Sequence, residues 1–254
     1  MKFFDSNCFI GLPTNAILRP VATARELLAA MDRSGIEQAL VWHVAQRDAS
    51  DILGNELLCR ELNTLAPEDR QRLTGCWCIL PPITNEMPAG AELFSQMAAN
   101  GIKALRVFPD PHRFLLREET FGGLLNDMIT RRIPLMLSLE GAVTWQNIYD
   151  LLRAFPELVC ILCDLGSWGA TRYYYPLIER YPNVYIEISD TYLDGGIEDF
   201  TAKFGARRML YGSGFPVQSH GGMMLALKHS EISDADKQAI AAGNLERLMQ
   251  DVKL

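Results

Sequence analysis

An eight-stranded α/β barrel, the (β/α)8 or TIM barrel, is the fold class this chain predicts, on three observations. Eight short apolar runs recur along its 254 residues. All but the last are followed at once by a helix-period pattern, as a parallel sheet covered by helices requires. Hydrophobic residues make up 48% against 22% charged, enough apolar material for a barrel interior and its helix layer. The length suits one barrel, one doubly wound domain or two small domains. A doubly wound sheet is the alternative, because alternation alone does not establish closure.

The runs read as buried strands are Phe3 to Phe9, Gln38 to Val44, Leu73 to Leu80, Ile102 to Phe108, Leu135 to Leu139, Leu158 to Cys163, Val184 to Ile188 and Arg208 to Tyr211. The helices between them carry start and stop signals. Thr23-x-x-Glu26 is a capping box, and Val21, Ala24, Leu27, Leu28 and Met31 form one stripe that ends before Gly35. Leu58, Leu62 and Leu65 continue the pattern until Pro67, and Leu124, Leu125, Met128 and Ile129 repeat it before Pro134. Ser233-x-x-Asp236 starts a helix that Gly243 closes, and Asn244 caps a last one. There is no repeat beyond the βα unit, no low-complexity run and no linker, so residues 1–254 read as one domain.

A net charge of −7 argues against nucleic-acid and anionic-membrane partners, since neither phosphate surface meets a basic one. No apolar run reaches the roughly 20 residues that span a bilayer. Met1-Lys2-Phe3-Phe4 is cut off by Asp5 before a signal-peptide core forms, so a cytoplasmic protein is expected. The six cysteines read as reduced core residues. Cys160-Ile-Leu-Cys163 has redox spacing, but strand alternation sends its sulfurs to opposite faces.

The stretch Asp5-Ser6-Asn7-Cys8-Phe9-Ile10-Gly11 resembles the opening strand of the amidohydrolase superfamily, in its amidohydrolase-related hydrolase and decarboxylase branch. That branch opens Asp-x-His-x-His before a glycine; here Asp5 and Gly11 stand in place and the histidine positions hold Asn7 and Phe9. Further along, Gly54-Asn55, Gly75 to Pro81 and Arg131 to Glu140 resemble family segments, with Ser138 where a metal-binding histidine follows Pro134. The sixth-strand His-x-Gly reads Asp164-Leu165-Gly166. The eighth-strand Gly-Ser-Asp-x-Pro reads Gly212-Ser213-Gly214-Phe215-Pro216, and Asn244 to Met249 matches the final Asn-x-x-Arg-Leu pattern. The resemblance implies an amidohydrolase-like barrel and a small organic acid as substrate. It also implies relatives that open lactones without a metal. Asn7, Phe9, Ser138, Asp164 and Gly214 occupy the family's ligand positions, and one carboxylate among five cannot hold a catalytic divalent ion. No metal and no other cofactor is expected.

Asp5, Asn7, Ser138, Glu140 and Asp164 are expected to point inward at strand ends, by parity. Arg106 is their natural partner, either in a structural salt bridge or as the fork that holds a substrate carboxylate. His43 ends the second strand, His112 follows the fourth and His220 the eighth, all on the side where barrel sites form, whereas His229 lies on a helix surface. Trp168, just after Asp164-Leu165-Gly166, is expected in a pocket wall, and Asp190-Thr191-Tyr192 adds polar groups at the mouth. Tyr173 to Tyr175 are candidates for the subunit contact of a homo-oligomer. A serine-hydrolase arrangement is not indicated, since Gly-x-Ser-x-Gly is missing.

Two readings follow. In the first, the chain is a metal-independent hydrolase or lyase: Asp164 or Glu140 is the general base, His43 or His112 the general acid. Arg106, Asn7, Ser138, Trp168 and His220 then contact a small-molecule substrate. In the second, the barrel has lost catalysis and binds a small molecule or another subunit. The first is preferred because Arg106, Glu140 and Asp164 cluster.

Overall fold

The computed structural model describes every residue except Ser167, Trp168 and Tyr192. Eight parallel strands run in chain order around one sheet. They are β1 (Phe4–Ile10), β2 (Gln38–His43), β3 (Leu73–Cys78), β4 (Ile102–Arg106), β5 (Leu135–Ser138), β6 (Cys160–Cys163), β7 (Val184–Glu187) and β8 (Met209–Leu210). The strand runs lose a residue or more at one or both ends wherever the chain turns into a loop. The seam between β8 and β1 is nearly closed by a few bonds. Ser6 N–H donates to the Tyr211 carbonyl at 3.0 Å, Phe9 N–H to that of Phe215 at 3.0 Å, and Gly214 N–H to that of Asn7 at 3.0 Å. These bonds replace the doubly wound alternative with a (β/α)8 barrel.

The helices lie outside, and their caps explain their limits. Thr23 Oγ1 accepts from Glu26 N–H at 3.2 Å, while Glu26 reaches back one residue further than a capping box, to Ala22 N–H at 2.7 Å. Gly35 ends this helix (Ala24–Ser34) at φ 76°, a left-handed turn that suits glycine. The C-terminal segment departs from expectation. Residues 239–243 form a π-turn that carries Asp234–Gln238 on into Asn244–Asp251, so Gly243 does not stop the helix. Asn244, with helical φ and ψ, is not a cap either. Its side chain donates to the carbonyls of Ala206 and Met209 at 2.8 and 2.9 Å, beneath β8. A short eighth strand needs that external support.

Nearly all the strand residues are buried, so the core is the barrel interior together with the strand–helix layer. All six cysteines are free, and only Cys59 is not fully buried. Among the described residues, no helix is long and apolar enough to cross a membrane. Tyr173 stacks flat on Trp145 (5.0 Å, 9°) and Tyr174 is buried.

Candidate functional site

Asn7 sits on β1, two residues before Phe9 and therefore on the same face. Its amide joins a cation to two carboxylates. Arg106 Nη2 donates to Asn7 Oδ1 at 2.9 Å, and Asn7 Nδ2 donates to Asp164 Oδ1 at 3.0 Å and Glu187 Oε1 at 3.3 Å. Asp164 leaves β6 with φ 55°, a left-handed conformation that aspartate tolerates better than most residues. Its second oxygen, Oδ2, accepts from Ser138 Oγ of β5. Glu187 closes β7 and is fully buried. Its Oε1 also accepts from Asp164 N–H at 2.9 Å and Ser189 Oγ at 2.7 Å, and its Oε2 from Ser189 N–H at 2.7 Å. Gly212 makes the room: a Cβ there would overlap Glu187 Oε2 and stand 3.0 Å from its Cδ.

Burial, and then the neighbouring charge of Asp164, push the Glu187 carboxyl up from 4.5 to about 7. Burial thus favours the protonated form of Glu187, while Asp164 is partly exposed. A run as apolar as Val184 to Ile188 can bury a carboxylate only with partners. The glutamate inside that run was the available signal for Glu187, which the strand pattern alone passes over.

The family's five ligand positions do not fit a metal. Asn7 turns its N–H groups toward the carboxylates, Phe9 packs on Trp42 (ring centroids 5.1 Å apart), and all four oxygens of Asp164 and Glu187 accept protein hydrogen bonds. Among the described residues, no group of three or more histidines, cysteines, aspartates or glutamates is arranged to hold a metal ion.

The other expected residues scatter. Arg106 is 1% exposed and lies under the Trp42 ring, 4.6 Å from its centroid, so it reaches neither a carboxylate nor the mouth directly. Asn7 and Ser138 are buried and spent on the network. Glu140 is not inward. β5 ends at Ser138, a turn closed by Val143 N–H to the Ser138 carbonyl (3.0 Å) breaks the alternation, and Glu140 emerges exposed on the rim. His43 is next in sequence to inward Trp42 and faces the opposite way, with its ring against Gly11 and its Nδ1 accepting from Ala45 N–H at 3.1 Å. His112 Nδ1 lies 3.9 Å from Cys78 Sγ, in a smaller cavity with Asp51 and Glu86. Burial lowers the pKa of both imidazoles. His220 is buried, stacked on Phe215 at 4.1 Å, with Nε2 3.7 Å from Asp5 Oδ2. Burial lowers this imidazole to about 4 and raises Asp5 to about 6, so the contact is not an ion pair of a charged histidine near neutrality. Trp168 and Tyr192 lie outside the described residues.

The mouth also holds a cavity of about 510 Å³, whose lining includes none of Asn7, Arg106, Ser138, Asp164 and Glu187. Phe9 lines it together with Thr14, Ile17, Arg47, Asp48, Glu140 and Val217, all from segments at or beyond the C-terminal ends of strands. Arg47 and Asp48 form an ion pair at 2.7 Å there, and neither stood out in the sequence.

Comparison with known proteins places these features. The profile of the Amidohydrolase family matches residues 11–249. No curated protein sequence matches the chain. Among solved structures, it is similar to an uncharacterised TIM-barrel protein of Bordetella bronchiseptica (17% identity, 99% of each chain covered, TM-score 0.72). It is also similar to a putative 2-pyrone-4,6-dicarboxylic acid hydrolase of Pseudomonas putida (17% identity, 98% of each chain, TM-score 0.70). A third, the 2,6-dihydroxybenzoate decarboxylase of Rhizobium, shares 16% identity over 98% of each chain with a TM-score of 0.73. At such identities the structural likeness speaks for the fold, whereas the profile match over nearly the whole chain speaks for descent: this chain belongs to the Amidohydrolase family.

Proposed function

We propose that this chain is a metal-independent hydrolase or lyase for a small organic acid, with Asp164 as its general base. The observation that carries the reading is the bridged pair of Asp164 and Glu187. Only Asp164 is open to solvent, and Asn7 and Ser138 hold its carboxyl in place. Two carboxyls in different surroundings divide their roles: burial favours the protonated form of Glu187, while Asp164 faces solvent, where a general base can meet water.

For a lactone or amide, Asp164 removes a proton from water as the water oxygen bonds to the carbonyl carbon. The tetrahedral intermediate then collapses, the carbon–heteroatom bond breaks, and the leaving atom takes that proton back from Asp164. His43 and His112 have no part in this sequence, because both are engaged elsewhere. Arg106 acts through Asn7 as a positioning residue. The structural likeness to a putative 2-pyrone-4,6-dicarboxylic acid hydrolase and a 2,6-dihydroxybenzoate decarboxylase supports an organic acid as the substrate class. The engaged oxygens of both carboxylates support independence from a metal.

A barrel that binds without catalysis is the second reading. Phe9 on Trp42, roofing Arg106, favours it by filling apolar space where the family places a ligand. Rates on a panel of lactones and small amides, for wild type and Asp164→Asn, decide between the two. Turnover that falls at least about 100-fold in Asp164→Asn supports the enzyme; equal rates at background for both proteins overturn it. Stoichiometric bound metal that disappears in Asp164→Asn would overturn metal independence.

A further inference from the structure

We infer that Arg47 is the carboxylate anchor of the mouth cavity, that Asp48 positions it, and that Glu140 restricts the ligand to a single carboxylate. This rests on the reading of the mouth as the substrate site and names which acids it admits.

The cation expected for this task, Arg106, is sealed under Trp42. Arg47 has its guanidinium carbon 5.7 Å from the centroid of the same ring, but its side chain is 30% exposed. Its Nε donates to Asp48 Oδ1 at 2.7 Å, and Asp48 Oδ2 is occupied in turn by Thr14 N–H at 2.8 Å. Asp48 is thus held by the loop after β1 and orients Arg47 through one nitrogen only. Among the described residues, no protein atom hydrogen-bonds to the two terminal nitrogens of Arg47. A guanidinium fixed at Nε with its outer edge open can still take a carboxylate through parallel N–H bonds.

The remaining lining selects the rest of the ligand. Phe9, Ile17 and Val217 offer an apolar wall. Glu140 lines the same cavity from its rim and forms no ion pair with Arg47 within 4.0 Å, so it does not occupy the outer edge of the guanidinium. With Asp48 paired to Arg47 and Glu140 not paired to it, the lining sets one cation against two carboxylates, so the open edge of the Arg47 fork suits a single carboxylate on an apolar body. A second carboxylate meets Glu140, and repulsion of this kind excludes wrong partners.

Calorimetric titration with two inert probes, cyclohexanecarboxylate and cis-cyclohexane-1,3-dicarboxylate, tests this on wild type, Arg47→Met and Glu140→Gln. The monocarboxylate is expected to bind wild type about tenfold or more tighter than the dicarboxylate. Arg47→Met should weaken the monocarboxylate by about tenfold or more, and Glu140→Gln should tighten the dicarboxylate more than the monocarboxylate. Unfolding midpoints check that both variants fold, and Arg47→Lys serves as a second variant should Arg47→Met fail: a lysine keeps the charge and loses the fork. Unchanged binding in every Arg47 variant that folds, equal affinity for the two probes, or no saturable binding by wild type overturns the assignment. Repeating the titration with Asp164→Asn separates the two proposals, since that variant should bind as wild type whether or not the barrel is an enzyme.

Discussion

Replacing Glu187 by glutamine should flatten much of the pH dependence of stability between about pH 5 and pH 8. The native carboxyl gives up its proton at about 7, whereas an unfolded chain releases it at the ordinary value of 4.5. Between the two, the native state binds more protons than the unfolded state, so stability falls as pH rises. The contribution is fully present below 4.5 and is lost as pH climbs through about 7. That gap corresponds to about 3 kcal/mol, and with Glu187 fully buried solvent does little to screen it. Glutamine resembles the protonated acid in shape. It places an amide N–H against either Ser189 N–H or the donors at Oε1, a constant cost of about 1 kcal/mol that does not vary with pH. Urea unfolding of both proteins at half-unit steps gives the difference directly. Asp5, raised to about 6, works in the same sense, and His220, lowered to about 4, works in the opposite one. Both are present in both proteins and cancel from the difference. Wild type should lose about 2–3 kcal/mol relative to the variant from pH 5 to pH 8, the rest of the gap lying below pH 5. A difference that stays constant to within about 0.5 kcal/mol would refute the assignment of a buried proton to this pair.

Three further outcomes follow from the same geometry. Gly212→Ala should cost about 2–4 kcal/mol in urea unfolding, because the new methyl displaces a carboxyl held by four hydrogen bonds. Arg106→Met strips Asn7 Oδ1 of its donor and the carboxylates of their nearby cation. Its cost, about 3 kcal/mol at pH 8, should shrink at pH 5 where Glu187 is protonated, as paired unfolding curves would show. His220 has its imidazole held neutral, so its contribution is present above 6.5 and lost as pH falls toward about 4; His220→Gln should make the melting temperature less sensitive to acid across that range.

Much of the architecture was legible because it rests on periodicity. A buried parallel strand must be apolar on both faces, and an outer helix on one, so eight runs and their helices announce a barrel. Glycines and the Gly-Ser-x-x-Pro stretch of the eighth strand carried the family, since backbone demands at a barrel seam tie residue type to position. The C-terminal helix shows where such reasoning stops. Gly243 has the look of a stop and Asn244 of a cap, yet both are carried through a π-turn because Asn244 is needed under β8.

From its own residues, the chain determined the barrel, the family and the replacement of the family's ligand residues at the strand ends. Which side chains meet was a tertiary decision. Parity placed Asn7, Ser138 and Asp164 inward, but it could not say that Asn7 would join Arg106 to two carboxylates, or that the second would be Glu187 from a strand read only as apolar. It placed Glu140 inward too, and a four-residue turn put it on the rim. Arg106 and Arg47 look alike in a sequence. Both pack near the Trp42 ring, yet one is a sealed cation that supports the network and the other is open at the mouth, because exposure belongs to packing and not to residue type.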